Sequence, residues 1–308
     1  MLHRTAFTSS LTVTVSLIFI GVSVLFPGFV SEITLWVVLA SVILVGIPHG
    51  AIDHIMAEKV YGLDRTWKGK AKFYGGYLGL MLVVCGIWWV HPVAGMLFFF
   101  AISIYHFGQA DIEDFVRPET NGIPWYLVRG VFILGLILFS DTTVSYPIMA
   151  QAIQADPETL FAILPAGFGA LAVIAAVYAA LLFSAWLSGK LTNGLRLLCD
   201  SILIVTLFLT AGPLIGFAIY FALWHSAGHV IEMQEFLRER KQSMTLKEFY
   251  KRSAPFTIIS LLGLAFLAGV NHAFWMEEQF IALMFILISV LTLPHMVIVD
   301  RMYAQLHG

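Results

Sequence analysis

Charge is scarce in this chain. Lys, Arg, Asp and Glu make up 12% of its 308 residues, against 59% hydrophobic ones. Soluble domains carry about twice that charge, so there is almost no room for a separate soluble domain. Cysteine is nearly absent. Cys85 and Cys199 fall in different apolar stretches, which excludes a disulfide framework and predicts free thiols. No basic tract or fold suited to nucleic acid is present, which removes nucleic acid as a partner. The chain also lacks low-complexity segments and a clean long-period repeat. No A-x-A site follows the first apolar run, Leu11 to Phe26, so that run reads as a first membrane span rather than a removed leader.

What remains is mostly long apolar helix. A bilayer core needs about 20 residues of it per crossing. Ten stretches qualify, some of them short: 8–27, 33–56, 73–91, 94–112, 124–140, 166–188, 195–211, 214–237, 254–271 and 279–301. With the N-terminus inside and the sides alternating, the inner segments hold Arg4, then Lys59, Arg65, Lys68, Lys70 and Lys72, then Arg117 and Arg129. They go on with Lys190 and Arg196, the basic run from Arg238 to Arg252, and Arg301. Those are all 17 Lys and Arg residues of the protein. The outer segments hold only acids, such as Glu32, Asp141, Asp156, Glu158, Glu277 and Glu278. A complete positive-inside bias predicts an all-α bundle of ten transmembrane helices with both termini cytoplasmic, forming one domain over 1–308. It places the protein, multi-pass, in the cell inner membrane.

Two connections are long. Ser140 to Pro165 is an outer loop that reads equally as a surface lid or a plain connector. Arg238 to Arg252 is basic; Thr245 and Glu248 have capping-box spacing, and Leu246, Phe249 and Tyr250 predict a membrane-surface helix.

Six of the ten histidines lie on even-numbered spans: His49, His54, His106, His225, His229 and His295. His3 and His307 are terminal, and His91 and His272 fall near outer span ends. Counted from the outer side at about 1.5 Å per residue, His49, His106, His225, His229 and His295 occupy one layer, roughly 16–24 Å deep. Ionisable groups at that depth are expensive and face the protein interior. Four helices that bring imidazoles to one level are how helical bundles build metal sites. His225 and His229, four apart, share one helix face. His54, five from His49, points elsewhere.

Acids follow the histidines. Asp53 is four after His49 and Glu232 three after His229, spacings that suit carboxylates orienting a ligand imidazole. Solvated inner-end carboxylates are the bland alternative. Asp111 and Asp300 are each five behind a histidine, off its face, and read as interfacial charges. Several neutral imidazoles without thiolate suit Fe, Cu or Zn, and an oily site with room for O₂ favours iron. Aromatic residues crowd the same layer: Phe98, Phe99, Phe100, Tyr105, Phe107, Tyr220, Phe221 and Trp224. Helix packing explains the set, with Tyr105 and Trp224, adjacent to candidate ligands, as the exceptions that would meet a substrate.

The strings Gly46-Ile47-Pro48-His49-Gly50-Ala51-Ile52-Asp53-His54, Tyr105-His106-Phe107-Gly108-Gln109-Ala110-Asp111, Trp224-His225-Ser226-Ala227-Gly228-His229 and Leu293-Pro294-His295-Met296 resemble the bacteriorhodopsin-related/Blh family of β-carotene 15,15′-dioxygenases. The first two strings are specific, and the set covers nearly the whole chain. The resemblance implies an integral membrane enzyme that uses Fe(II) and O₂ to cut the central double bond of β-carotene into two retinal molecules. It implies His49, His106, His225 and His229 as metal ligands and catalytic residues. His295 matches a further family histidine and is grouped with Asp53 and Glu232 outside the ligand set. A polyene that partitions into the lipid bilayer would meet such a site at membrane depth.

Two other readings fit a histidine-bearing membrane bundle. A metal or proton transporter would use intramembrane His and acid residues as its path, but no broken-helix pair or inverted repeat is evident. A di-iron lipid desaturase or hydroxylase would need H-x-x-H-H clusters, which the chain lacks.

Overall fold

A computed structural model describes residues 6–64, 66–117, 119–273 and 280–306. Among them the chain is helical throughout. An isolated antiparallel bridge, Val116 to Leu191, is the one β feature there. The order is α1 (Ala6–Leu25), α2 (Pro27–Ser41), a π-helical stretch (Val42–Gly46), α3 (Ile47–Gly50), α4 (Asp53–Val60), α5 (Trp67–Val90), α6 (Pro92–Ile112) and α7 (Ile123–Phe139). There follow α8 (Thr142–Ile153), α9 (Pro157–Ile163), α10 (Gly167–Leu187), α11 (Gly194–Ile219), a second π-helical stretch (Tyr220–Ser226), α12 (Ala227–Glu239), α13 (Leu246–Ala273) and α14 (Phe280–Leu306).

Among the described residues, six helical stretches are long and apolar enough to cross a membrane: Pro27–Val60, Trp67–Val90, Pro92–Phe115, Gly167–Leu187, Gly194–Glu239 and Phe280–Leu306. α7 and α8, bent by 98° at their junction, make a seventh if counted together; Ser9–Leu25 is apolar but shorter. Large apolar side chains such as Trp36, Leu82, Phe168 and Leu195 stand exposed on these helices, as lipid-facing residues do. The chain is thus a helical membrane protein.

The stretch Gly194–Glu239 is not one rod. Gly212 has φ +77° and ψ 172°, a region open essentially to glycine alone, and Pro213 follows it. The side chain of Phe208 comes back against Gly216, where a Cβ would lie 2.6 Å from its ring. Residues eight apart in a straight helix are about 12 Å apart along the axis, so the chain bends sharply here. The sequence reading ends its seventh span and begins its eighth at this point.

Two compact units emerge. The first comprises Met1–Gly46, Ser103–Pro147 and Pro157–Ile231. In it α11 packs on α1, α2 and α7, and α10 on α7. α6 and α7 cross backbone to backbone: a Cβ on Gly108 would meet the Tyr126 carbonyl and Gly130 N, and one on Gly130 would meet the backbone of Ile104. Small residues permit such approach.

The second unit comprises Ile47–Ile102, Ile148–Asp156 and Glu232–Gly308. α14 packs on α4, α5 and α13, and α13 also packs on α3. Its core holds Val84, Trp88, Met96, Ala152, Ala282 and Val290, with Phe98, Phe99 and Phe100 partly buried against it. The Trp88 indole N–H donates to Ser289 Oγ at 3.0 Å.

Both long connections are helical. Ser140 to Pro165 forms α8 and α9, and the Tyr146 hydroxyl donates to the Pro165 carbonyl at 2.8 Å. The capping box is present: Thr245 N–H donates to Glu248 Oε2 at 2.9 Å, and Glu248 N–H to Thr245 Oγ1 at 3.2 Å. It does not start a separate surface helix. α13 runs on from Leu246 through Ala273, carrying Pro255 inside it. Arg129, counted among the inner-side charges and within the fifth predicted span, is a buried member of α7. Cys85 and Cys199 are free and exposed. Arg4, Arg65, Glu277, Glu278, His3 and His307 lie outside the described residues.

Candidate metal centre

Three of the predicted ligands come together in the first unit. His106 sits on α6, His225 in the π-helical stretch and His229 on α12. π-turns inside α-helices are uncommon and recur at functional sites. The His106 and His229 rings lie parallel, centroids 5.2 Å apart and planes 9° apart. His225 stands across both at 4.8 Å, at 85° to His106 and 90° to His229. One donor nitrogen from each lies within 4.8 Å of the other two, and all three residues are buried. Three metal–imidazole bonds of about 2.0–2.1 Å set their nitrogens about 3.3–3.6 Å apart, so closure on a shared ion takes movement of about 1 Å. Three neutral nitrogen donors in an apolar setting suit a divalent transition metal.

Aromatic rings enclose His225. Phe221 stacks on it at 5.6 Å and 15°, Phe217 stacks on Phe221 at 5.1 Å, and Phe107 meets His225 edge-on at 4.7 Å. Gly46 makes space for this column, since a Cβ there would press into the Phe221 ring. Sequence reasoning treats Phe107 and Phe221 as packing. Their signal is the four-residue spacing of Phe217, Phe221, His225 and His229, which aligns the rings on one helix face. Tyr105 is half-buried and edge-on to Tyr126 at 5.9 Å. Trp224 is buried and lines a small polar cleft with Ser9, Thr12, Arg196 and Asp200.

The same unit holds a buried ion pair that the sequence does not indicate. Arg129 Nε donates to Asp111 Oδ2 at 2.5 Å, and Nη1 donates to Tyr178 Oη and Ser201 Oγ, each at 2.7 Å. Asp111 is therefore no interfacial charge. A buried carboxylate five residues past His106 was itself the signal; its partner comes from another helix.

The remaining predicted residues belong to the second unit. His49, on α3, is buried with its ring edge-on to His295 at 4.8 Å and 84°. The helix is interrupted by a turn at Ala51–Ile52, between His49 and Asp53. Asp53 Oδ1 lies 2.9 Å from His295 Nδ1, and Oδ2 accepts from the Tyr77 hydroxyl at 3.0 Å. Glu232 accepts from the Tyr303 hydroxyl at 2.5 Å. Both acids are buried, which excludes the solvated alternative. His54 rests against Phe256, and His91 Nδ1 accepts from Ala94 N–H at 3.2 Å, near the start of α6.

The family described as beta-carotene 15,15′-dioxygenase matches residues 40–303. The chain belongs to that family. The match spans all five layered histidines. Among curated proteins, the chain is similar to "Beta-carotene 15,15′-dioxygenase" of an uncultured marine bacterium 66A03, 29% identical over 285 residues, 87% of this chain and 94% of that one. It is also similar to "Probable beta-carotene 15,15′-dioxygenase Blh" of Halobacterium salinarum, 26% identical over 289 residues, 86% of this chain and 83% of that one. No solved structure matches.

Proposed function

We propose that this chain is a membrane-embedded, Fe(II)-dependent oxygenase that cleaves the 15,15′ double bond of β-carotene with O₂, giving two molecules of retinal. The observation that carries the reading is the buried triad of His106, His225 and His229 in a chain of the β-carotene 15,15′-dioxygenase family. The family match displaces the transporter and di-iron desaturase readings.

Iron, when bound, supplies the activation of O₂ that a protein side chain cannot provide. The chain supplies position and a dry setting. His106, His225 and His229 hold the metal, with His49 as fourth ligand on the strength of its motif. Phe107 and Phe221 cover the His225 ring and keep water from it. Tyr105 and Trp224 are proposed to contact the polyene. Glu232, held by Tyr303, shares α12 with His229, and Asp53 with His295 forms the second supporting pair. The full chain, 1–308, acts as one catalytic domain, since motif residues fall in both compact units.

The proposed topology is ten spans with both termini cytoplasmic, in the cell inner membrane. The break at Gly212 supports the count, as does the charge sidedness of the sequence. Reporter fusions in the 140–165 segment and at the C-terminus should read opposite sides; one shared side ends the topology. For the activity, the chain is expressed in carotene-accumulating bacteria. Loss of colour with appearance of retinal is the expected result. Inserted protein with intact carotene and no retinal refutes the assignment.

A further inference from the structure

The second unit holds a side-chain set that the three-histidine cluster leaves unused. His295, within α14, brings Nδ1 to 2.9 Å from Asp53 Oδ1. The Tyr77 hydroxyl donates to the other oxygen of the same carboxylate at 3.0 Å. His295 is 4% exposed and Asp53 2%. A carboxylate facing Nδ1 takes that nitrogen's proton as its hydrogen bond. The ring is then fixed in the tautomer whose lone pair sits on Nε2. Proteins orient metal-bound imidazoles in this way and raise their basicity.

A buried carboxylate could be satisfied by any donor. What a simple His–Asp pair does not call for is a second imidazole at ligand spacing. His49 supplies one, edge-on at 4.8 Å and 84°. The same separation and near right angle recur for His106 with His225 and for His225 with His229.

We propose that His295 is itself a metal ligand, acting beside His49, with Asp53 and Tyr77 as the hydrogen-bonded support that aims its Nε2. The inference rests on the reading of the chain as an iron enzyme with His49 among its ligands. Asp53 and Tyr77 are positioning residues; they act through His295.

The test uses the full chain purified in detergent. Iron per chain and the rate of iron loss to a ferrous chelator are measured for wild type, His295→Ala, His295→Gln, Asp53→Asn and Tyr77→Phe. His295→Ala should lower occupancy or speed release at least about 10-fold, and free imidazole should restore part of the loss. Asp53→Asn should weaken retention about 10–100-fold, with Tyr77→Phe milder. Each variant is compared by gel filtration. If His295→Ala does not fold, His295→Gln and Asp53→Asn, close in volume to the originals, carry the test. Folded His295 and Asp53 variants with wild-type iron and wild-type release overturn the inference. A wild-type chain that holds no tight iron overturns the proposed function instead.

Discussion

Replacing Gly108 by Ala probes how the fold delivers His106. Gly108 is two residues past His106, where α6 crosses α7. Its added Cβ would lie 2.6 Å from the carbonyl carbon of Tyr126 and 2.9 Å from Gly130 N, with the Tyr126 oxygen nearer still. Ordinary Cβ contacts fall at 3.4–4 Å. Every obstructing atom is backbone, so no rotamer relieves the clash, and the helices must part by about 1 Å. Overpacking of this kind costs about 1–3 kcal/mol. A catalytic cost comes with it, because His106 moves relative to His225 and His229 on another helix. A displacement of about 1 Å can cost about 100-fold in rate. The assay is initial retinal formation in detergent, with iron per chain and thermal unfolding alongside. Gly108→Ala should lose about 10–100-fold in rate while remaining folded. Gly130→Ala opens the same crossing against Ile104, so the double variant should fall well short of additive. Gly79, with nothing within 4 Å of its added Cβ, is the control and should tolerate Ala. A Gly108→Ala chain with wild-type rate and iron refutes the account of the crossing.

Three further outcomes are expected. Arg129→Ala strands the buried Asp111 carboxylate and should cost about 3–5 kcal/mol, whereas Arg129→Met with Asp111→Leu should recover most of it; thermal unfolding in detergent reads both. Gly212→Ala forces a side chain into a conformation reserved for glycine and should cost about 1–3 kcal/mol, read by the same melt. The bonds from Thr245 hold the Glu248 carboxyl below its ordinary value of 4.5. Capping stability is therefore full above that value and lost as pH falls through the lowered one; amide exchange at the start of α13 should quicken there, and Glu248→Gln should abolish the pH dependence.

The elements that were legible in the sequence are those set by local spacing. The i,i+4 pair His225–His229, the capping box at Thr245–Glu248 and the break before Pro213 each depend on residues within a turn or two. His106 joins the pair because depth in a bilayer is countable along a helix. Illegible features depend on lateral packing, which one sequence does not encode locally. Tyr77 reaches Asp53, Tyr303 reaches Glu232, and Arg129 reaches Asp111, each from a different helix. The partners of Asp53, His295 on α14 and Tyr77 on α5, are likewise beyond what the local spacing from His49 can indicate.

The central claim is that His106, His225 and His229 hold the iron that performs the cleavage. Elemental iron per purified chain, measured for the wild type and for the three single His→Ala variants, tests it most directly when read beside retinal formed. The account predicts about one iron per wild-type chain, and for each variant a folded, membrane-inserted protein with little iron and almost no retinal. Full iron and full cleavage in any one of the three would contradict it.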